Sequence, residues 1–168
     1  MAFDLKAANE EAKARLVPAL RGRGAHLGLA EAVRDFPGEL MNEKPANVPY
    51  TFWHMLEHIR IAQWDLMRYA SDSEHVSPEW PRGYWPAPDD VTDEAGWDAT
   101  VAAIRADRDE LIGVIEDPAC NVLEPVAHMD GRSIMRAALL VIDHTAYHLG
   151  EFVMARQMAG AWESELEG

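Results

Sequence analysis

Apolar residues recur every three or four positions along most of this chain, and proline and glycine break that rhythm into separate blocks. From Asp4 to about Leu20, the residues Leu5, Ala8, Ala12, Leu16 and Ala19 mark one face of a helix. Pro18 is placed to kink or shorten it, and Gly22 and Gly24 end the pattern. A short block from Leu29 to Phe36 is closed by Pro37-Gly38, and Glu39 to Pro49 reads as a loop. Thr51 then stands as N-cap of a long helix reaching about Tyr69, with Met55, Ile59, Ala62 and Leu66 in helical register. From Asp93 a third long helix carries Trp97, Val101, Ile104, Leu111 and Ile115 and stops near Asp117-Pro118. After a turn around Asp130-Gly131, the most apolar helix runs from Ser133 to about Ala159. No segment alternates as a strand would. Four principal helices predict an all-α chain, an antiparallel four-helix bundle forming one domain over residues 1–168.

One stretch departs from this regularity. Ser71 to Val91 holds Pro78, Pro81, Pro86 and Pro88 together with Trp80, Tyr84 and Trp85. A connection this long inside a compact domain points to function or disorder, and its aromatics argue against disorder. It is expected to pack over one end of the helices, with Tyr84 and Trp85 as candidates for a pocket wall.

Composition narrows the classes. Forty-eight per cent hydrophobic residues exclude overall disorder, and a formal charge of -14 argues against nucleic acid as a partner. No apolar run approaches the roughly 20 residues that span a bilayer, and the N-terminus does not read as a signal peptide. Cys120 is the single cysteine, so neither an internal disulfide nor a thiolate cluster is available. A cytoplasmic protein with no membrane partner is the expectation.

Chemistry enters with the histidines. His144 and His148 stand four residues apart in Asp143-His144-Thr145-Ala146-Tyr147-His148-Leu149-Gly150-Glu151, so both imidazoles leave one helix face, one above the other. That spacing suits two ligands of one transition-metal ion, and a third must come from another helix. His54 and His58 on the second long helix are the candidates. His58 is preferred because Leu56, Ile59 and Ile61 surround it, with His54 as second choice or as a pocket residue. Three histidines would leave coordination positions open, as catalytic sites require. Imidazole suits zinc, nickel, copper and iron alike, with zinc or nickel foremost. The pattern lacks the glutamate of HExxH, so a protease is not indicated.

Two carboxylates share these faces. Glu151 follows His148 by three residues, and Asp65 follows His58 by seven. Either could orient a metal-bound water or accept its proton, or else pair with Arg68 or Arg156. Asp143 points about 100° away from His144 and is better placed to support a ligating histidine than to ligate. The methionines, Met154 and Met158 among them, read as adaptable core filling.

Three segments in order, Glu57-His58-Ile59-Arg60-Ile61-Ala62-Gln63-Trp64-Asp65, Ser77-Pro78-Glu79-Trp80-Pro81 with Tyr84-Trp85-Pro86, and Asp143-His144 with Tyr147-His148-Leu149-Gly150, resemble the DinB-like family from about His26 to Trp162. The resemblance implies an antiparallel four-helix bundle holding a divalent metal through His58, His144 and His148. The wider superfamily includes S-transferases that use small bacterial thiols activated by a zinc-type metal. Glu151 departs from the similar motif, which usually has glutamine there. Two functions follow as expectations. One is a metal-dependent enzyme, a thiol S-transferase or a hydrolase, acting on a small-molecule substrate with a thiol or water. The other is a non-catalytic metal or small-ligand binding protein linked to stress response. Bundles of this kind associate through exposed apolar faces, so a homodimer is expected as well.

Overall fold

Four side chains, each immediately before a long helix, start the architecture. Asp4 accepts from the Ala7 amide at 3.1 Å, Thr51 from His54 at 3.1 Å, Asp93 from Gly96 at 2.8 Å and Ser133 from Arg136 at 3.4 Å. Each satisfies a first-turn N–H that has no partner inside its helix. In the computed structural model, which describes residues 4–162, these caps open α1 (Leu5–Leu20), α3 (Phe52–Ser71), α4 (Glu94–Glu116) and α5 (Ile134–Met158). A single-turn α2 (Leu29–Ala32) and three 3-10 turns lie between them, and no strand is present among the described residues. The chain is therefore all-α, built on four main helices packed together. Residues 1–3 and 163–168 of the expected single domain lie outside the described residues. No helix among those described is long and apolar enough to cross a membrane.

Two apolar clusters divide the bundle lengthwise. Phe36, Phe52, Leu56, Trp97, Ile104 and Phe152 are buried in one. Leu16, Met67, Leu111, Ile115, Met129 and Val141 are buried in the other. Helix α3 passes from the first cluster to the second, α4 does the same, and α5 returns from the second to the first. Side-chain bonds agree with this: Trp53 Nε1 donates to Thr100 Oγ1 at 3.1 Å, while Gln63 donates to the Ile104 carbonyl further along both helices. Helices α3 and α4 thus run in one direction, with α5 against them. Lys13 reaches the Asp117 carbonyl at 2.9 Å and Asn9 the Cys120 carbonyl at 3.2 Å, which sets α1 against α4.

The shared direction of α3 and α4 explains the long proline-rich connection, since the chain must travel back along the bundle before α4 begins. It does not sit over one end, as its composition suggested. It lies lengthwise on α3, held at successive turns. His75 donates to Asp65 Oδ1 at 2.7 Å, the Tyr84 hydroxyl donates to Asp65 Oδ2 at 2.6 Å, and His54 Nε2 meets the Asp90 carbonyl at 2.9 Å. Gly83 permits this path, because a Cβ there would stand 2.6 Å from Pro78 Cβ. The histidine face of α3 and α5 falls between the two apolar clusters, against this connection.

Candidate metal centre

His58 lies nearly two turns into α3, and His144 and His148 lie on the facing side of α5. Their Nε2 atoms converge: His58 to His148 is 3.1 Å, and His144 to His58 is also 3.1 Å. Together the three offer nitrogens that all lie within 4.8 Å of one another. His58 is buried and the other two are half-buried, so the cluster has a closed side and an open side.

Two of the rings are held in a fixed sense. His58 Nδ1 donates to the Tyr84 carbonyl oxygen at 2.7 Å, and a carbonyl can only accept. His148 Nδ1 donates to Glu151 Oε2 at 2.7 Å. Both Nδ1 protons are therefore committed outward, and in the neutral rings both Nε2 atoms present bare lone pairs to each other across 3.1 Å. His144 carries one proton that could serve one of these acceptors, which leaves the other without a donor. A shared positive charge at the centre would satisfy all three. Additional protons are disfavoured: burial, and after it the neighbouring His148 and His58, push the His144 pKa down to about 4. Burial lowers that of His58 as well. A metal cation fits the donor set. Zinc–nitrogen bonds of about 2.0–2.1 Å imply N···N edges of about 3.3 Å in a tetrahedron, close to the spacing present. Imidazoles braced through Nδ1 by a carbonyl and a carboxylate are also the usual support for metal-bound histidine.

An aromatic stack closes the flank. The Trp85 ring lies on His58 with centroids 3.8 Å apart and planes within 5°, and Tyr50 stacks on the other face of Trp85 at 4.2 Å. Trp85 thus covers the His58 ring, with Tyr50 behind it. Tyr84 contributes differently, since its carbonyl orients His58 while its hydroxyl turns to Asp65. That bond, after burial, pushes the Tyr84 phenol up to about 12. His54, second choice for the third ligand, is as buried as His58, each being 3% exposed, but its ring ties down Asp90 and does not reach the cluster.

Asp65 is also away from the cluster, its two oxygens occupied by His75 and Tyr84. The alternative pairings are not made either: Arg68 bonds Asp72, and Arg156 bonds the carbonyls of Ala32, Asp35 and Ala161. Asp143 is exposed and lines a cavity of about 300 Å³ with His144, Tyr147, Leu66 and Leu140. On the other side of the centre, Glu151 borders a cavity of about 370 Å³ whose apolar walls include Val48, Tyr50, Met55, Met154 and Met158. Met154 and Met158 are exposed and line this space, so they are not core filling. Tyr50 and His75 lie outside the periodic segments, so helical spacing gives no sign of their contacts with Trp85 and Asp65. The aromatic residue just before the Thr51 cap was the only signal for Tyr50.

A comparison with curated proteins and another with solved structures returned no match. The family model of the DinB superfamily matches residues 26–152, a span that contains all three converging histidines, the connection and its aromatic stack. The chain belongs to the DinB superfamily.

Proposed function

We propose that this protein is a divalent-metal-dependent enzyme that transfers a small thiol to an electrophile, with zinc or nickel held by His58, His144 and His148. The observation that carries this reading is the convergence of three Nε2 atoms, two with their Nδ1 protons already committed, on a locus flanked by two cavities. Bound there, the metal would lower the pKa of a thiol and make it a nucleophile at neutral pH.

The chain's own residues bind, orient and exclude water. The Tyr84 carbonyl and the Glu151 carboxylate fix the His58 and His148 rings. Trp85 and Tyr50 keep water from one flank. The methionine-lined cavity suits an apolar electrophile, because Met adapts to varied shapes. Thiol transfer is favoured over hydrolysis on the same grounds. Activating water calls for a dedicated proton acceptor, yet Asp65 is bonded to His75 and Tyr84 and Glu151 to His148. A thiol, with a free pKa of about 8.5, needs less help.

The test uses tag-free protein, its metal content measured, offered small thiols with electrophiles in the presence of zinc, nickel or manganese. Metal-dependent consumption of thiol is expected, with loss of both metal and turnover in His148→Ala while the bundle stays folded. Metal uptake with no turnover by any thiol would leave a metal- or ligand-binding protein. No metal uptake would overturn the reading.

A further inference from the structure

The α5 face that carries the histidines continues toward its N-terminus into a feature the metal centre does not use. Arg136, Leu140 and His144 follow one another at four-residue intervals and so form one row along the helix. The first and last are about 12 Å apart along the axis. At the Arg136 end lies a cavity of about 160 Å³, bordered also by Arg132, Tyr69, Ser77 and Asp65. It shares Leu66 and Leu140 as walls with the cavity of about 300 Å³ beside His144. The two spaces border the same two leucines, so an extended ligand lying over Leu66 and Leu140 would run from a cationic end to the open side of the histidine cluster.

One charge at that end has no partner among the described residues and the other is loosely held. Arg136 makes no ion pair among the described residues, whereas Arg15, Arg60, Arg68 and Arg108 are each paired with an acidic neighbour. Arg132 donates to the Tyr69 hydroxyl at 3.1 Å, which donates weakly to the exposed Asp130 at 3.5 Å. Arg132 itself approaches Asp130 only at 4.0 Å, and an incoming anion would displace these contacts. Asp65, the carboxylate in the cavity wall, has both oxygens occupied by His75 and Tyr84. In a chain of formal charge -14, two guanidiniums with two hydroxyls around one small cavity form a local site for an anion. Asp143, which lines the cavity beside His144, suits an N–H or O–H in the middle of a ligand and repels a second anionic group there.

We propose that the Arg132–Arg136 cavity holds the anionic end group, carboxylate or phosphate, of a ligand whose opposite end reaches the three-histidine centre. The site selects ligands with roughly 12 Å between the two ends. The assignment of a thiol to the far end rests on the function proposed above; the anion site does not.

Two measurements test it. The first compares mercaptooctanoate with mercaptooctanol as ligands of the zinc-loaded protein, in the parent and in Arg132→Gln/Arg136→Gln. The carboxylate should bind about ten-fold more tightly in the parent, and that advantage should vanish in the double variant while the alcohol binds as before. Equal affinity of the two thiols in the parent, or a preference that survives the substitutions, overturns the proposal. The second titrates octanoate and octyl phosphate into metal-free protein and follows the Arg136 side-chain Nε–H resonance. A shift with either supports the anion site, and the larger shift tells carboxylate from phosphate. No shift with either overturns it. Failure of both thiols to bind, with the octanoate shift retained, refutes the thiol reading and leaves the anion site standing.

Discussion

Removing Glu151 separates a metal centre from a group of core histidines. Its Oε2 accepts from His148 Nδ1 at 2.7 Å, and its side chain is 41% exposed. Glu151→Ala deletes that acceptor, and the two consequences differ in size. An exposed pair of this kind contributes less than about 1 kcal/mol to folding, so the metal-free variant should melt within about 4 °C of the parent. Metal affinity depends on the same bond more steeply. The carboxylate fixes the imidazole tautomer and orients the ring, and loss of such a partner lowers affinity roughly 10- to 100-fold, or about 1.4–2.7 kcal/mol. Glu151→Gln keeps an acceptor without its charge and should fall between. The assay is zinc competition against a chromophoric chelator at fixed pH, with melting curves of the metal-free proteins alongside. Zinc affinity unchanged to within about two-fold in Glu151→Ala would refute the idea that this pair supports a ligand. A fall of more than about 10 °C in the metal-free melt would assign Glu151 to the fold.

In metal-free protein, His144 is held down to about 4 by burial and by His148 and His58, against an ordinary value of 6.5. The unfolded chain takes up that proton first, so the ring's contribution is complete above about pH 6.5 and is lost as the pH falls to about 4. The slope is at most about 1.4 kcal/mol per pH unit for one ring, reduced by its partial exposure, and His58 acts in the same direction. Urea unfolding across this window checks it, and stability that stays flat or rises with acid contradicts it. Arg156, buried, donates to the carbonyls of Ala32 at 2.8 Å, Asp35 at 3.1 Å and Ala161 at 2.9 Å. Arg156→Leu should cost about 2–4 kcal/mol, lowering the melting temperature by roughly 5–15 °C with zinc affinity intact; a loss under about 1 kcal/mol would show that water replaces those bonds.

The helices were readable almost to their ends because their start signals are local. Asp4, Thr51, Asp93 and Ser133 each bond an amide three residues on, which depends on nothing distant. Helical spacing also put His144 and His148 together. It could not by itself choose between His54 and His58. Both are 3% exposed, and what separates them is their level along α3 relative to α5. Asp65 faces the way its spacing predicts, but its partners His75 and Tyr84 come from a segment with no period, so nothing in the pattern showed that its oxygens would be occupied. Met154 and Met158 depart from their expected core role for a related reason. Apolar character in the most apolar helix suggests core, yet these positions are 59% and 69% exposed because part of α5 walls a cavity and is not covered by another helix.

The route of the chain between α3 and α4 decides what the histidines can do. Were those helices joined as a tight hairpin, nothing from the connection would lie on α3, and His58 Nδ1 would have no Tyr84 carbonyl to bond. Because α3 and α4 share a direction, the 72–93 connection must run back along α3. In doing so it places that carbonyl and the Trp85 ring against His58. Asp65 and His54 on α3 hold the segment from either side of His58, through His75, Tyr84 and Asp90. Asp65 and His54, candidates for base and ligand by spacing, instead hold the connection and do not reach the three histidines. The same arrangement braces His58 from a rigid surface while His144 and His148, on the half-exposed side of α5, keep the opposite side accessible. Pre-oriented histidine nitrogens with one accessible side are what metal-assisted chemistry would need and a purely structural metal site would not.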